Sequence, residues 1–208
     1  MNRLGLFPLQ LVLFPSVPLP LHIFEERYRS LINRCIDEDT PFGVVYHRGE
    51  SMRQVGCSAI VDRVIKRYDD GRLDILAVGH ERFSIDRVDE SGLYLEADVR
   101  YLDDHADGED DELAHRAVNE LLKYAYYAEV SLDRETLGAL TGNQLSFLIA
   151  GLDLLGLDTK QELLEIERSD DRLQRSIIEL ERINDQLVTR ARIRGVVDQD
   201  VDLNSFLN

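Results

Sequence analysis

The residues with the types and spacing to do chemistry form a short set, and the densest group is the run "DDHADGEDDE" that starts at Asp103. A calcium loop wants oxygen ligands at positions 1, 3 and 5, glycine at 6 and a bidentate glutamate at 12. Asp103, Asp107 and Gly108 meet three of these, but His105 stands at the third position and Ala114 at the twelfth. Without the closing carboxylate the run reads as a solvated loop. Nucleotide chemistry needs GxxxxGK followed by Ser or Thr; "GALTGNQ" has neither the spacing nor the lysine, and no GxGxxG occurs. The three lysines, Lys66, Lys123 and Lys160, lie in no setting that suggests an activated serine. Cys57 sits in "VGCSAIV", a strand-like stretch where a small apolar thiol is a packing residue. The five histidines, His22, His47, His80, His105 and His115, show no i,i+4 pair and no cysteine cluster, so a zinc site would have to be assembled entirely by the fold. The expectation is a chain with no catalytic, cofactor-binding or metal-ligating residues, and no cofactor.

Composition narrows the partners. The formal charge of −16 is uneven: residues 1–100 carry 13 basic and 16 acidic side chains, and residues 101–208 carry 11 and 24. Such a surface repels phosphate backbones, so nucleic acid is not an expected partner. The stretch "DRVIKRYDDGR" gathers Arg63, Lys66, Arg67 and Arg72, but it is diluted by Asp62, Asp69 and Asp70 and reads as a solvated strand edge. Two distant cysteines, Cys35 and Cys57, supply no disulfide framework, which fits a reducing cytoplasm.

The elements that must position any site begin with "LGLFPLQLVLFPSVPLPLHIFEERY". From Leu4 to Phe24 it carries no Asp, Glu, Lys or Arg and four prolines. Pro8, Pro15, Pro18 and Pro20 exclude a membrane helix, because each lacks an amide hydrogen and clashes with the preceding turn. An export signal is not expected either: only Arg3 is basic, and the first alanine is Ala59. The ribbon reads as a strand over Leu9–Phe14 followed by a Pro-x-Pro arm near polyproline geometry. Phe24, Tyr28, Leu31, Ile32, Cys35 and Ile36 then fall on one helical face.

From Pro41 to Asp104 the period changes to that of strands: "PFGVVYH", "VGCSAIVDRVIKRY", "RLDILAVG", "ERFSIDRV" and "LYLEADVRYL". Gly71 and Gly92 are placed to supply the positive backbone angles of tight turns. Five or six such strands with an inserted helix suggest a small antiparallel barrel or sandwich. The acidic run marks the boundary, dividing the chain into 1–104 and 105–208. Beyond it the pattern is helical, with Thr141 and Thr159 as capping-box residues facing Gln144 and Glu162. After Ser169, the residues Leu173, Ile177, Leu180, Ile183, Leu187 and Ala191 form a long stripe that packs on other helices or on a second copy of the chain. The tail from residue 195 to 208 lacks helical period.

Three blocks in this order, "FPLQLVLFPSVPLPLHIFEERY", "VGCSAIVDRVIKRYDDGRLDILAVGHERFSI" and "LSFLIAGLDLLGLDTKQELLEIERSDDRLQRSIIELERI", resemble the N-terminal substrate-binding domain of ATP-dependent Lon proteases over roughly residues 5–190. The resemblance implies an α+β fold: a PUA-like antiparallel β-barrel with an inserted helix, then a C-terminal α-helical bundle with one long helix. It departs from full Lon proteases in ending at Asn208 without a phosphate-binding loop or a serine-lysine dyad, so ATP-driven proteolysis is not carried over. The implied function is a free-standing, non-enzymatic polypeptide-binding module of the bacterial cytoplasm, an adaptor or regulator in protein quality control. Its partners would be unfolded or extended segments or a partner protein, with no membrane. Pro15, Pro18, Leu19, Leu21 and Phe24 would border the apolar groove that receives them. An RNA-binding PUA-like protein and a hydrolase using Cys57 or a carboxylate pair remain as alternatives.

Overall fold

A computed structural model describes residues 2–49, 51–103 and 111–193. The acidic run from 104 to 110, the expected boundary within it and the tail 195–208 lie outside these residues. The chain divides into two units, one reaching Asp103 and including Gly156–Glu165, the other reaching Leu155 and resuming at Ile166. A single cut at 104 therefore differs from this division, because a short helix of the later sequence folds with the first unit.

The first unit is a mixed α/β body with a mostly antiparallel sheet. Its strands are β1 (Asn2–Leu9), β2 (Pro18–Ile23), β3 (Phe42–Arg48), β4 (Ser51–Met52), β5 (Val55–Arg67), β6 (Leu73–Asp89) and β7 (Glu96–Tyr101), with α1 (Glu26–Glu38) between β2 and β3. The pairings run β1-β7-β6-β5-β3, and β3 returns to β1, so they form a closed circuit. The β1–β3 pair is parallel, from Leu6↔Gly43 to Leu9↔Tyr46, which departs from the all-antiparallel expectation. A parallel pair needs a long connection, and β2 with α1 supplies it.

The opening ribbon is built differently from the sequence reading. The strand comes first, as β1, and residues 10–17 form a loop ending in a tight turn where the Val17 amide donates to the Phe14 carbonyl at 3.2 Å. Pro15 occupies that turn, and Ser16 takes a positive φ of 64°. The Pro-x-Pro arm is strand β2, antiparallel to β6 from Pro18↔Val78 to Ile23↔Leu73. The Gly79 amide donates to the Val17 carbonyl at 3.0 Å, which sets the parity of the ladder. Residues 19, 21 and 23 then exchange hydrogen bonds with β6, while the nitrogens of Pro18 and Pro20 face the open edge, where no donor is needed. The approach is close: a Cβ on Gly79 would lie 2.1 Å from the Phe14 carbonyl oxygen.

Strand β6 is one continuous element of 17 residues rather than the two strands read from the sequence. Gly71, at φ 85°, makes the β5–β6 hairpin turn. Gly92 has no positive φ among the described residues; the turn after β6 is closed by the Asp89 carboxylate, which accepts from the Ser91 amide at 3.0 Å and hydroxyl at 2.6 Å. Helix α1 buries Tyr28, Leu31, Ile32 and Cys35, as its spacing predicts, against Phe7, Leu19, Ile23, Phe42 and Ile75. Each such side chain contributes about 1.5–3 kcal/mol. A second apolar cluster, with Leu4, Leu6, Val45, Phe83 and Val99, fills the other side of β1.

Helix α5 (Leu157–Glu165) completes this unit. Thr159 lies inside its first turn, so it is no cap. Gln161 donates to the Val55 carbonyl at 3.0 Å, and the wholly buried Arg82 donates through Nη1 to the Leu164 carbonyl at 2.6 Å. A buried guanidinium requires such acceptors.

The second unit contains α2 (Asp111–Ala128), α3 (Arg134–Gly138), α4 (Gly142–Gly151) and α6 (Ser169–Ile193). Thr141 and Gln144 form the expected capping box at α4. Leu173, Ile177 and Leu180 of the α6 stripe are buried with Ala117, Leu121, Leu145 and Ile149 inside the unit. Buried Arg172 sits at the start of α6, donating to Ser146 Oγ at 3.0 Å, to the Ile166 carbonyl at 2.7 Å and to Asn143 Oδ1. Its guanidinium also lies 4.2 Å over the Phe147 ring. No helix among the described residues is long and apolar enough to cross a membrane.

Gly79→Ala forces the Phe14 loop off β6 and should lower unfolding stability by about 3 kcal/mol, at the upper end for overpacking, as read from urea denaturation; an unchanged midpoint would contradict the close approach.

Candidate functional site

A groove of the first unit has a volume of about 590 Å³ and is framed by the end of β1, the end of β2, the start of α1 and the β3–β4 hairpin. Phe7, Leu9, Ile23, Tyr28 and Leu95 give it an apolar lining, and Met52 and His47 close it from the hairpin. Its size lies in the usual range for ligand clefts, about 300–1,000 Å³.

The five residues expected to border a groove separate here. Leu21 and Phe24 line it. Leu19 shares the strand and the inward face of Leu21, but lies deeper and is buried in the core. Pro18 stands exposed on β2, and Pro15 lies in the turn at 14–17; neither lines this groove. Phe24 also departs from its expected place on the buried face of α1. It precedes the helix and is 61% exposed, the most exposed large apolar side chain among the described residues. The groove residues Met52, His47, Glu90 and Leu95 come from distant positions and carry no local signal in the sequence.

A polar chain holds the Phe24 ring in place. Asp74, opposite His22 on β6, accepts from Tyr68 Oη at 2.8 Å and contacts His22 Nδ1 at 2.5 Å. The His22 ring stacks on Phe24 with centroids 6.0 Å apart and meets Tyr68 edge-on at 5.9 Å. The His22 contact, and then the Tyr68 hydroxyl, hold the Asp74 carboxyl below its ordinary range. Donation to Asp74 in turn pushes the Tyr68 hydroxyl up. On the rim, Arg27 is engaged by Glu25 at 2.9 Å and lies 4.5 Å over the Tyr28 ring.

Cys57 is fully buried on β5, with its thiol 3.3 Å from the Ser58 carbonyl, which leaves it no path to a substrate. Cys35 is buried on α1, and burial pushes its thiol pKa up, away from the reactive thiolate. Among the described residues no group of three or more His, Cys, Asp or Glu side chains could hold a metal ion. Buried Arg82 serves the Leu164 carbonyl, and Phe83 enters the core.

The Asp74 arrangement has a pH signature. A carboxyl lowered by folding adds stability that is present above its unfolded pKa and is lost as pH falls through the folded value. A carboxylate titration by NMR should place Asp74 below a free aspartate, and His22→Ala should move it back up; an unshifted Asp74 would remove the contact's role.

Comparison with known proteins agrees with this architecture. A family model described as the ATP-dependent protease La (LON) substrate-binding domain matches residues 3–182. Lon protease 2 of Syntrophobacter fumaroxidans is 26% identical over 214 residues, covering 97% of this chain and 27% of that protein. The chain thus spans about a quarter of the length of the curated relatives it matches. The crystal structure of a Lon N-terminal domain protein from Xanthomonas campestris superimposes with a TM-score of 0.67 at 23% identity, covering 84% of this chain and 96% of that one. The N-terminal domain of Mycobacterium avium complex Lon protease gives 0.72 at 18% identity, covering 86% and 98%. These two likenesses concern the fold. With nearly the whole described length matched by the family model, and with the same fold in Lon N-terminal domains, the chain belongs to the LON substrate-binding domain family.

Proposed function

We propose that the first unit is a non-enzymatic polypeptide-binding module, which captures extended or unfolded segments in the groove beside Phe24 and acts as an adaptor or regulator in protein quality control. The observation that carries this reading is the 61% exposed Phe24, held by the His22 stack at the mouth of an apolar groove. Leaving a large aromatic ring in water forgoes about 1.5–3 kcal/mol, and a preorganised ring recovers it when an apolar side chain covers it. Membership of a family described as substrate-binding supports the same reading. The closed circuit of strand pairings suits a PUA-like barrel, and the packing of α2, α4 and α6 suits a helical bundle.

A few apolar contacts give weak, permissive affinity once ordering costs are subtracted. Two further features support binding through side chains rather than by adding a strand to β2. Its free edge presents Pro18 and Pro20, which cannot donate, and exposed prolines blunt strand addition. The groove, by contrast, offers Leu21, Phe24 and Met52 at one opening.

Fluorescence anisotropy with a labelled, permanently unfolded model polypeptide tests the reading. Saturable binding in the micromolar range is expected, and Phe24→Ala should weaken it about tenfold, the equivalent of about 1.4 kcal/mol. Absence of binding at high micromolar concentration would overturn the proposal.

A further inference from the structure

The charge on the groove rim points to a particular class of segment. Three side chains with formal charge line the groove: Glu25, Arg27 and Glu90. Arg27 is already committed, its guanidinium paired with Glu25 at 2.9 Å and resting on the Tyr28 ring at 4.5 Å. Glu90 lies exposed after the end of β6 and has no hydrogen-bond or ion-pair partner among the described residues. Its neighbour Asp89 is occupied instead, taking Arg3 at 2.6 Å and the Ser91 hydroxyl at 2.6 Å. One uncompensated carboxylate thus stands over an apolar lining, on a chain of formal charge −16.

We infer that the groove selects extended segments in which a large apolar residue is flanked by lysine or arginine, with Glu90 as the residue that reads the positive charge. This rests on the reading of the groove as a polypeptide-binding site. The apolar residue would cover Phe24 and Leu21, while the flanking cation meets Glu90 on the rim. An acidic flank meets like charge at Glu90, whereas Glu25 is neutralised by Arg27, so such a flank is disfavoured by the same geometry. The Glu90 pair is partly solvated, so the discrimination is modest and falls with salt. The overall negative field adds to the encounter rate of any cationic segment, whereas Glu90 acts only on a seated one.

Three labelled peptides test the assignment, sharing a Leu-Phe pair and differing only in two flanking residues: Lys-Lys, Gln-Gln or Glu-Glu. Anisotropy titrations of the full chain at about 50 mM salt, where screening is weak, should rank them in that order. The lysine peptide should bind about threefold to fivefold more tightly than the glutamine one. Glu90→Gln should erase most of that ratio, and Glu90→Lys should invert it. Equal binding of all three peptides by the unaltered chain would overturn the charge preference while leaving polypeptide binding intact. A preference that survives undiminished in Glu90→Gln would trace to the overall field and overturn the role of Glu90. Binding of none of the three would overturn this inference together with the function on which it rests.

Discussion

Strand β6 is required to take β5 along one side and both β2 and β7 along the other, and the rest of the first unit follows from how that is possible. The two partners on the shared side cannot overlap. β2 ends its pairing at Val78 and β7 begins at Phe83, so the ribbon must leave the sheet near Gly79. A residue with a side chain would collide there with the Phe14 carbonyl. The absent Cβ lets the turn at 14–17 close over β6 and sends β2 along it in a fixed parity. That parity turns Leu19 and Ile23 into the core and delivers Phe24 to the surface.

Each unit carries a fully buried arginine that ties loose ends of backbone to its core. Arg82 takes the carbonyl of Leu164 in the last turn of α5, where the helix dipole favours a cation. Arg172 gathers Asn143, Ser146 and the Ile166 carbonyl, joining the start of α4 to the start of α6. Apolar packing alone would leave those helix ends free to slide. A guanidinium with directed donors specifies one arrangement, because any other would strand a buried charge.

The candidate site inherits its order from this frame. The β2–β6 register sets His22 opposite Asp74, Asp74 holds His22, and His22 backs the Phe24 ring. A side chain held this way loses less freedom when it is covered, which favours binding by a few contacts. Function in this reading depends on strand register as much as on the residues that touch a ligand.

Local patterns in the sequence were enough for several elements. The spacing of Tyr28, Leu31, Ile32 and Cys35 marked α1, Thr141 with Gln144 marked the start of α4, and Asp70-Gly71 marked the β5–β6 turn. Each depends on neighbours a few residues away, so period and capping chemistry report it directly. The opening ribbon did not yield in the same way. Its apolar run has no alternation, and its prolines read as breaks, although an edge strand tolerates proline wherever the missing donor faces outward. Which positions face outward is set by pairing with β6, some 55 residues later in the chain.

The groove shows the same division. Leu21 and Phe24 were nameable from the ribbon, but so were Pro15, Pro18 and Leu19, which lie elsewhere. Composition, the buried face of α1 from Tyr28 onward, the turn at Gly71 and the lack of nucleotide and metal motifs were determined by the sequence itself, because they rest on residue type and short spacing. The identity of the groove was decided only in three dimensions, where β6 chooses the face of β2 and brings Met52, Glu90 and Leu95 beside it. Long-range pairing carries that choice, and no local window of the chain contains it.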